Sequence, residues 1–167
     1  MELPNLPYFL DGDIKVSETM AIMRYICNKY KPKLLGTTLK EKTEIDMLSS
    51  IMHDLKLYNL TYPFYKHADR EKIEKASKPK LDPIVKWLGD KKYLIGDKIC
   101  YLDFILFEVC NVMDFLTKGR IWNDYPSLKK YAGRIKSLPA LQKAIAAAES
   151  KPFNNPFAKI NHQLKYM

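Results

Sequence analysis

Helical periodicity from Leu39 onward constrains the fold more than any other feature of this sequence. Apolar residues recur there every three or four positions, and the most apolar run extends from Tyr101 to Leu116. An amphipathic helix has to bury its apolar face, and a helix that is apolar almost all round belongs at the centre of a core. The sequence therefore predicts an all-helical domain over residues 39–167, built around a helix at Tyr101–Leu116.

Two long helices are expected before this central one. The first should continue until Pro63, and its inward-facing residues are Ile45, Leu48, Met52, Leu55 and Tyr62. The second should span Asp69–Leu88, with Pro79 and Pro83 kinking or splitting it, because an internal proline removes a helical hydrogen bond.

Later helices are expected to begin at Pro126 and Pro139, because proline suits the first turn of a helix. Their inward-facing residues are Leu128, Tyr131, Ile135, Leu141 and Ile145. From Lys151 onward, the prolines and asparagines predict an irregular tail.

The first thirty residues follow a different pattern. Tyr8–Leu10 and Ile14–Val16 flank an Asp-Gly turn, which predicts a β-hairpin in which Gly12 adopts a positive φ. Ser17 is expected to cap a helix that ends near Tyr30, before a proline. An isolated two-stranded hairpin is marginally stable in water, so this unit over residues 1–32 needs the helical domain as a surface.

The chain is basic but shows no concentrated basic motif. It has 28 Lys and Arg against 19 Asp and Glu, a net charge of +9. The lysines are dispersed along the sequence, which favours solvated helix faces over a nucleic-acid-binding patch. The strongest apolar cluster, Phe104–Phe107, is bounded by acidic residues and is too short to span a membrane.

Cysteine and histidine usage predicts a reducing compartment and no metal. The three cysteines, Cys27, Cys100 and Cys110, lie in apolar surroundings and form no C-x-x-C pair, as is typical of buried thiols in a cytoplasmic protein. The three histidines lack the spacing of metal ligands; they are His53, His67 and His162.

Four segments, in order and spread over nearly the whole chain, resemble the glutathione transferase family, and within it the mu class. They are Asn5–Gly12, Ser17–Ile26, Leu94–Phe104 and Asp124–Leu128. The resemblance implies a mainly α fold, in which a partial thioredoxin-like unit, a β-hairpin plus a helix, precedes the all-helical C-terminal domain. It also implies a parent reaction in which glutathione thiolate is conjugated to electrophiles.

The resemblance assigns a glutathione-binding half-site to the N-terminal unit. Pro7 matches the family's cis-proline, and the backbone of Leu6 would pair with the cysteinyl part of glutathione. Glu18 and Thr19 match the residues that hold the γ-glutamyl group. Taken alone, Glu18 and Thr19 also fit a plain helix start, and Pro7 fits an ordinary trans proline.

Further site residues come from the helical domain. Asp54 matches an acidic residue that reaches the glutathione amine across the family's homodimer interface, although it also fits a solvated charge paired with nearby lysines. Phe64 falls in the electrophile pocket, where mu-class enzymes often carry a tyrosine. Cys100 replaces the Ser or Thr of a capping box whose acidic member is Asp103, which should weaken that helix start by about 1 kcal/mol.

No residue of this sequence matches the family's catalytic tyrosine, which belongs to a segment N-terminal to the matched residues. We therefore expect the chain not to be catalytic by itself. Three hypotheses follow: part of a glutathione transferase, a structural or interaction subunit of a larger assembly, and a glutathione or hydrophobic-ligand binder without chemistry. In the second, a protein partner would cover the unpaired sheet edge at Tyr8–Leu10.

Overall fold

A computed structural model describes residues 3–66 and 70–149 of the chain. These residues form a two-stranded sheet, seven α-helices and two short 3-10 helices. In chain order they are β1 (Tyr8–Asp11), β2 (Ile14–Ser17), α1 (Thr19–Tyr30), a 3-10 helix (Pro32–Leu35), α2 (Leu39–Lys66), α3 (Arg70–Leu88), α4 (Tyr101–Thr117), α5 (Ile121–Asp124), α6 (Pro126–Lys136), a 3-10 helix (Pro139–Leu141) and α7 (Gln142–Glu149).

The predicted hairpin is confirmed. Strands β1 and β2 are antiparallel, with Phe9 opposite Val16, and Gly12 takes a φ of 57° at the turn. The assignment of Ser17 as the cap of α1 is wrong, because Ser17 still belongs to β2, where it pairs with Tyr8. Its hydroxyl donates instead to the Leu3 carbonyl at 2.8 Å.

Helix α2 passes through Pro63 instead of ending there. An internal proline removes its own backbone donor and crowds the carbonyl four residues earlier, which can kink a helix without ending it. The predicted inward residues Ile45, Leu48, Met52 and Leu55 are all buried. The side chain of Tyr62 lies outside the described residues.

Helix α3 is a single helix that contains both Pro79 and Pro83. The two prolines are four residues apart and both are exposed, so they share the solvent face. On that face the broken hydrogen bonds can be replaced by water. The opposite face buries Leu81, Ile84 and Leu88, and this burial keeps the helix continuous.

Helix α4 is the centre of the core, as the sequence predicts. It packs against α2, α3 and α6, and almost every turn is buried. From α1, Met20 and Met23 pack on the same core and Cys27 is part of it, so the N-terminal unit lies on the helical domain. The helix at Pro126 is confirmed, with Leu128, Tyr131 and Ile135 buried. At Pro139 a 3-10 helix precedes α7, and Leu141 and Ile145 are half-buried against the core.

The capping box at the start of α4 forms with a thiol in place of a hydroxyl. Asp103 Oδ2 accepts from the Cys100 backbone at 2.7 Å, and its Oδ1 accepts from the Leu94 backbone at 3.0 Å and the Tyr131 hydroxyl at 2.5 Å. Burial raises the pKa of Asp103, while these donors act in the opposite direction. The carboxyl group therefore ties the α3–α4 connection, α4 and α6 together.

No helix among the described residues is both long and apolar enough to cross a membrane. The expected irregular tail from Lys151 lies outside the described residues.

Candidate functional site

The loop before β1 is fixed to the start of α1 by one side chain. The Leu6–Pro7 peptide bond is cis, as the resemblance implies. Asn5 accepts from the Leu6 backbone at 2.9 Å through Oδ1 and donates to Glu18 Oε1 at 2.7 Å through Nδ2. Leu6 is 79% exposed, so this loop faces solvent beside the first turn of α1.

Glu18 occupies an unusual backbone conformation at the N-cap of α1. Its φ of 70° and ψ of 119° lie in a region that L-residues other than glycine rarely adopt. The carbonyl of Glu18 accepts the first helical hydrogen bond from Ile22 at 2.9 Å. Strained residues concentrate at functional sites, where the surrounding structure holds them in place.

Thr19 is the first residue of α1 and is half-buried. The first backbone N–H groups of a helix have no partner within it, and they attract anions such as carboxylates. A hydroxyl and unpaired N–H groups therefore lie directly after the Glu18 carboxylate. This combination suits an amino acid head group, which carries one positive and one negative charge.

An open groove of about 630 Å³ lies along the outer side of the hairpin and shares Asn5 and Leu6 with the half-site. Its lining consists of Pro4, Asn5, Leu6, Tyr8, Leu10 and Lys15. The volume is within the range of small-molecule sites. The walls are mainly apolar, with Lys15 as the cation.

A carboxylate on β1 positions the hairpin on α1. Asp11 Oδ2 accepts from the Tyr25 hydroxyl at 2.8 Å and from the ammonium group of Lys29. The hydrogen bond from Lys29, and then that from Tyr25, lowers the pKa of Asp11. The Phe9 and Tyr25 rings lie 5.9 Å apart between centroids. These contacts hold β1 against α1, and so they fix the position of the loop that carries Leu6 and Pro7.

A second polar joint connects α1 to the helical domain. Arg24 donates to Ser49 Oγ at 2.6 Å and lies 3.7 Å from Asp46 on α2. Its guanidinium group also lies 6.0 Å from the centroid of the Tyr101 ring on α4. Helix α1, which begins at the half-site, is therefore held by contacts with β1, α2 and α4.

Asn5 links Leu6 to Glu18, and Pro7 and Thr19 are the chain neighbours of these two residues. Asp54 is exposed on α2, and within the described residues no hydrogen bond or ion pair joins it to this cluster. Phe64 belongs to α2, and its side chain lies outside the described residues.

Sequence reasoning missed Asn5 as a site residue. Asparagine commonly bonds to nearby backbone in turns, so its place directly before the Leu6–Pro7 pair was the available signal.

Several tyrosine hydroxyls are already engaged with carboxylates. Tyr25 donates to Asp11, Tyr125 donates to Asp82 at 2.5 Å, and Tyr131 donates to Asp103. The bond to Asp11 raises the pKa of Tyr25, and burial raises the pKa of Tyr125 and of Tyr131. None of these three hydroxyls is set up to stabilise a thiolate.

The cysteines are core residues, as expected for Cys27 and Cys110. All three are free and buried, and burial raises the pKa of each thiol, to about 12 for Cys110. Over residues 3–66 and 70–149, no cluster of His, Cys, Asp and Glu could hold a metal ion.

Comparison with known proteins identifies the family. The model of the glutathione S-transferase C-terminal domain matches residues 53–148, and that of the N-terminal domain matches residues 1–28. A glutathione S-transferase of Tyrophagus putrescentiae is 33% identical over 98% of this chain and 74% of its own length. A mu-class 26 kDa isozyme of Fasciola hepatica is 32% identical over 85% of this chain and 65% of its own length.

Structural similarity also identifies the glutathione S-transferase family. The crystal structure of the glutathione S-transferase Blo t 8 superposes with a TM-score of 0.79 and 25% identity, over 96% of this chain and 78% of that one. The mainly α architecture, with its partial thioredoxin-like hairpin and helix, is that of this family. The chain belongs to the glutathione S-transferase family and is mu-class-like.

Proposed function

We propose that this chain binds glutathione at the half-site formed by Leu6, Pro7, Glu18 and Thr19, and that the 167 residues do not catalyse conjugation by themselves. The observation that carries the proposal is the bridge through Asn5, which holds the Leu6 backbone beside the Glu18 carboxylate. This bridge supports a site in which a strand-like backbone segment lies next to a charged group that can bind the amino acid head of glutathione.

Each group has a matching part of glutathione. The exposed backbone of Leu6 pairs with the cysteinyl unit as an added strand, after Asn5 Oδ1 gives up the Leu6 N–H. The Glu18 carboxylate pairs with the γ-glutamyl ammonium group. The Thr19 hydroxyl and the free N–H groups of α1 accommodate the γ-glutamyl carboxylate.

The helical domain completes the site in a homodimer. We assign Asp54, which is exposed on α2, to the glutathione amine of the neighbouring subunit. By the family resemblance, we assign Phe64 to the electrophile pocket. We assign residues 1–32 to the partial thioredoxin-like domain and residues 39–167 to the helical one. The buried, unpaired cysteines fit a cytoplasmic protein.

Conjugation needs a donor that stabilises the glutathione thiolate near neutral pH. The hydroxyls of Tyr25, Tyr125 and Tyr131 are engaged with carboxylates, which removes them as donors. Tyr8 lines the groove beside Leu6 and is the tyrosine to test if activity is found.

The proposal is tested by calorimetric titration of the 167-residue chain with glutathione. Thr19→Val and Glu18→Gln should each weaken binding about tenfold, since each removes a polar or charged contact. Thr43→Val is the matched control, because the Thr43 hydroxyl bonds only to its own helix, at Leu39. No binding by the unmodified chain, or equal loss in the control, would refute the half-site.

Catalysis is tested with a chlorinated aromatic electrophile. The expected result is no conjugation above the rate in buffer. A rate well above that background would contradict the non-catalytic part of the proposal, and loss of that rate in Tyr8→Phe would then assign the donor.

The exposed sheet edge supports a second candidate, a structural or interaction subunit. Among the described residues β1 pairs with β2 in a two-stranded sheet, which leaves the other edge of β1 unpaired, and Tyr8 and Leu10 on one face of β1 are 55% and 57% exposed. Such an edge can pair with a strand of another protein. A chain that is monodisperse and monomeric, and that binds glutathione, would count against this candidate.

A further inference from the structure

The fold gathers positive charge that the sequence shows as dispersed. Between Asp124 and Glu149 there is no Asp or Glu, whereas five basic residues occur there: Lys129, Lys130, Arg134, Lys136 and Lys143. In α6 the residues Leu128, Tyr131, Ala132 and Ile135 are buried, so every charged side chain of the helix lies outside its buried face and is basic.

The connection between α3 and α4 extends this charge. Arg134 donates a hydrogen bond to the Lys92 carbonyl, which places the end of α6 against the connection at Lys92. Lys91 and Lys92 are both exposed. We call Lys91, Lys92, Lys129, Lys130 and Arg134 the basic surface.

The charges of the basic surface are not neutralised within the described part of the chain. None of its five residues forms an ion pair there. Three acids lie nearby, and none of them forms an ion pair with the basic surface in the described part of the chain. Asp82 on α3 accepts from Tyr125, Asp124 on α5 lies 4.0 Å from Lys78, and Asp90 is exposed just before Lys91. Like charges held together in excess and without ion-pair partners raise the local potential and attract an anionic partner.

The chemistry of the basic surface favours a lipid partner. Among the described residues, the exposed large apolar side chains all lie between Leu3 and Ile51, so no fully exposed aromatic side chain is available near the basic surface for base stacking. The ring of Trp87 is covered by Lys91, whose ammonium lies 4.1 Å from the ring centroid. Four of the five residues are lysines, which act as flexible point charges and do not require the planar geometry that arginine reads.

We propose that the basic surface docks the protein reversibly on an anionic phospholipid membrane. The contact is electrostatic, and nothing inserts into the acyl layer. Lysines near an anionic membrane each add to the attraction, which disappears beyond a Debye length from the surface. This role is independent of the glutathione half-site, because it uses α6 and the α3–α4 connection.

The test is co-sedimentation of the full 167-residue chain with phosphatidylcholine vesicles, with and without phosphatidylserine. Binding is expected only with phosphatidylserine and should be lost at high salt. The variant Lys92→Gln, Lys129→Gln, Lys130→Gln should partition about a hundredfold less, at about fivefold for each lysine removed. The control is Lys15→Gln, Lys31→Gln, Lys33→Gln, which removes the same charge from exposed lysines of the N-terminal unit.

Three results would overturn the proposal. The first is an absence of binding to vesicles that contain phosphatidylserine. The second is an equal loss in the control, which would mean that net charge alone acts. The third is tighter binding to a short DNA duplex at matched salt, with the same loss in the Lys92/Lys129/Lys130 variant. Circular dichroism of both variants shows that each is folded, and the salt dependence of the unmodified chain is an independent readout.

Discussion

The hydroxyl of Tyr25 donates a hydrogen bond to Oδ2 of Asp11 at 2.8 Å, and Lys29 donates to the same oxygen. Asp11 is the last residue of β1, whereas Tyr25 and Lys29 are one turn apart on α1. One carboxylate therefore joins the sheet to the helix. An isolated two-stranded sheet is only marginally stable. The contact at Asp11 therefore decides whether the loop that carries Leu6 and Pro7 keeps its position.

Replacing Asp11 should loosen the hairpin without unfolding the helical core. In Asp11→Asn the charged partner of Lys29 is lost, so the amides of β1 and β2 should exchange severalfold faster while those of α4 are unchanged. Hydrogen exchange followed by mass spectrometry measures both. The control is Asp13→Asn, an exposed aspartate in the hairpin turn. Equal acceleration in both variants would show that the Asp11 joint contributes nothing.

The backbone at Glu18 should show a measurable strain. Both Glu18→Ala and Glu18→Gly lose the carboxylate and its bond to Asn5, so their difference isolates the cost of the φ of 70°. We expect the Gly variant to be more stable than the Ala variant by about 1 kcal/mol, as judged by urea unfolding. Both should lose glutathione affinity equally. An Ala variant as stable as the Gly variant would mean that Glu18 is not strained.

Local patterns predicted the elements of this fold well, because hydrophobic period and turn chemistry are short-range signals. The Asp-Gly turn placed the hairpin, and the apolar run placed α4 to within a residue at its end. The errors arose where a local signal does not decide the end of an element. Helix α2 continues through Pro63, and Ser17 remains in β2 because its ladder with Tyr8 competes with the role of helix cap.

The half-site was predicted from resemblance, but the contacts that hold it were not. Asp11 meets Tyr25 and Lys29 across 14 and 18 residues, and Asn5 meets Glu18 across 13. Such separations leave no periodic signal, since they depend on how the hairpin folds back on α1. In the same way, the charge of the basic surface was visible in the sequence only as separate lysines.

Replacing the Cys100 thiol in the capping box of α4 by a hydroxyl should stabilise the folded protein. Cys100→Ser should raise the free energy of unfolding by about 1 kcal/mol, because a hydroxyl accepts the Asp103 backbone N–H better than a thiol does. The control is Cys110→Ser, which buries a hydroxyl without a cap to form and should cost about 1–3 kcal/mol. Urea denaturation of both variants tests the pair, and a loss of stability in Cys100→Ser would show that the thiol is already a sufficient cap.

Glu41 should make the stability of the chain depend on pH in the acid range. Its carboxylate accepts from Lys98 at 2.7 Å and from the Thr37 hydroxyl and backbone, also at 2.7 Å. The bond from Lys98, followed by those from Thr37, lowers the pKa of Glu41 to about 2. These contacts tie the start of α2 to the α3–α4 connection.

A carboxyl group whose pKa is depressed in the folded state stabilises the protein above its unfolded pKa, and this contribution is lost as the pH falls through the folded value. The stability difference between the unmodified chain and Glu41→Gln should therefore be constant above about pH 5 and should vanish towards about pH 2. Urea unfolding at a series of pH values measures it. Glu44→Gln is the control, because Glu44 meets Lys40 only at 3.9 Å along the same helix. A Glu41→Gln difference that does not change with pH would contradict the assignment, since it would mean that the ionised carboxylate is not the stabilising form.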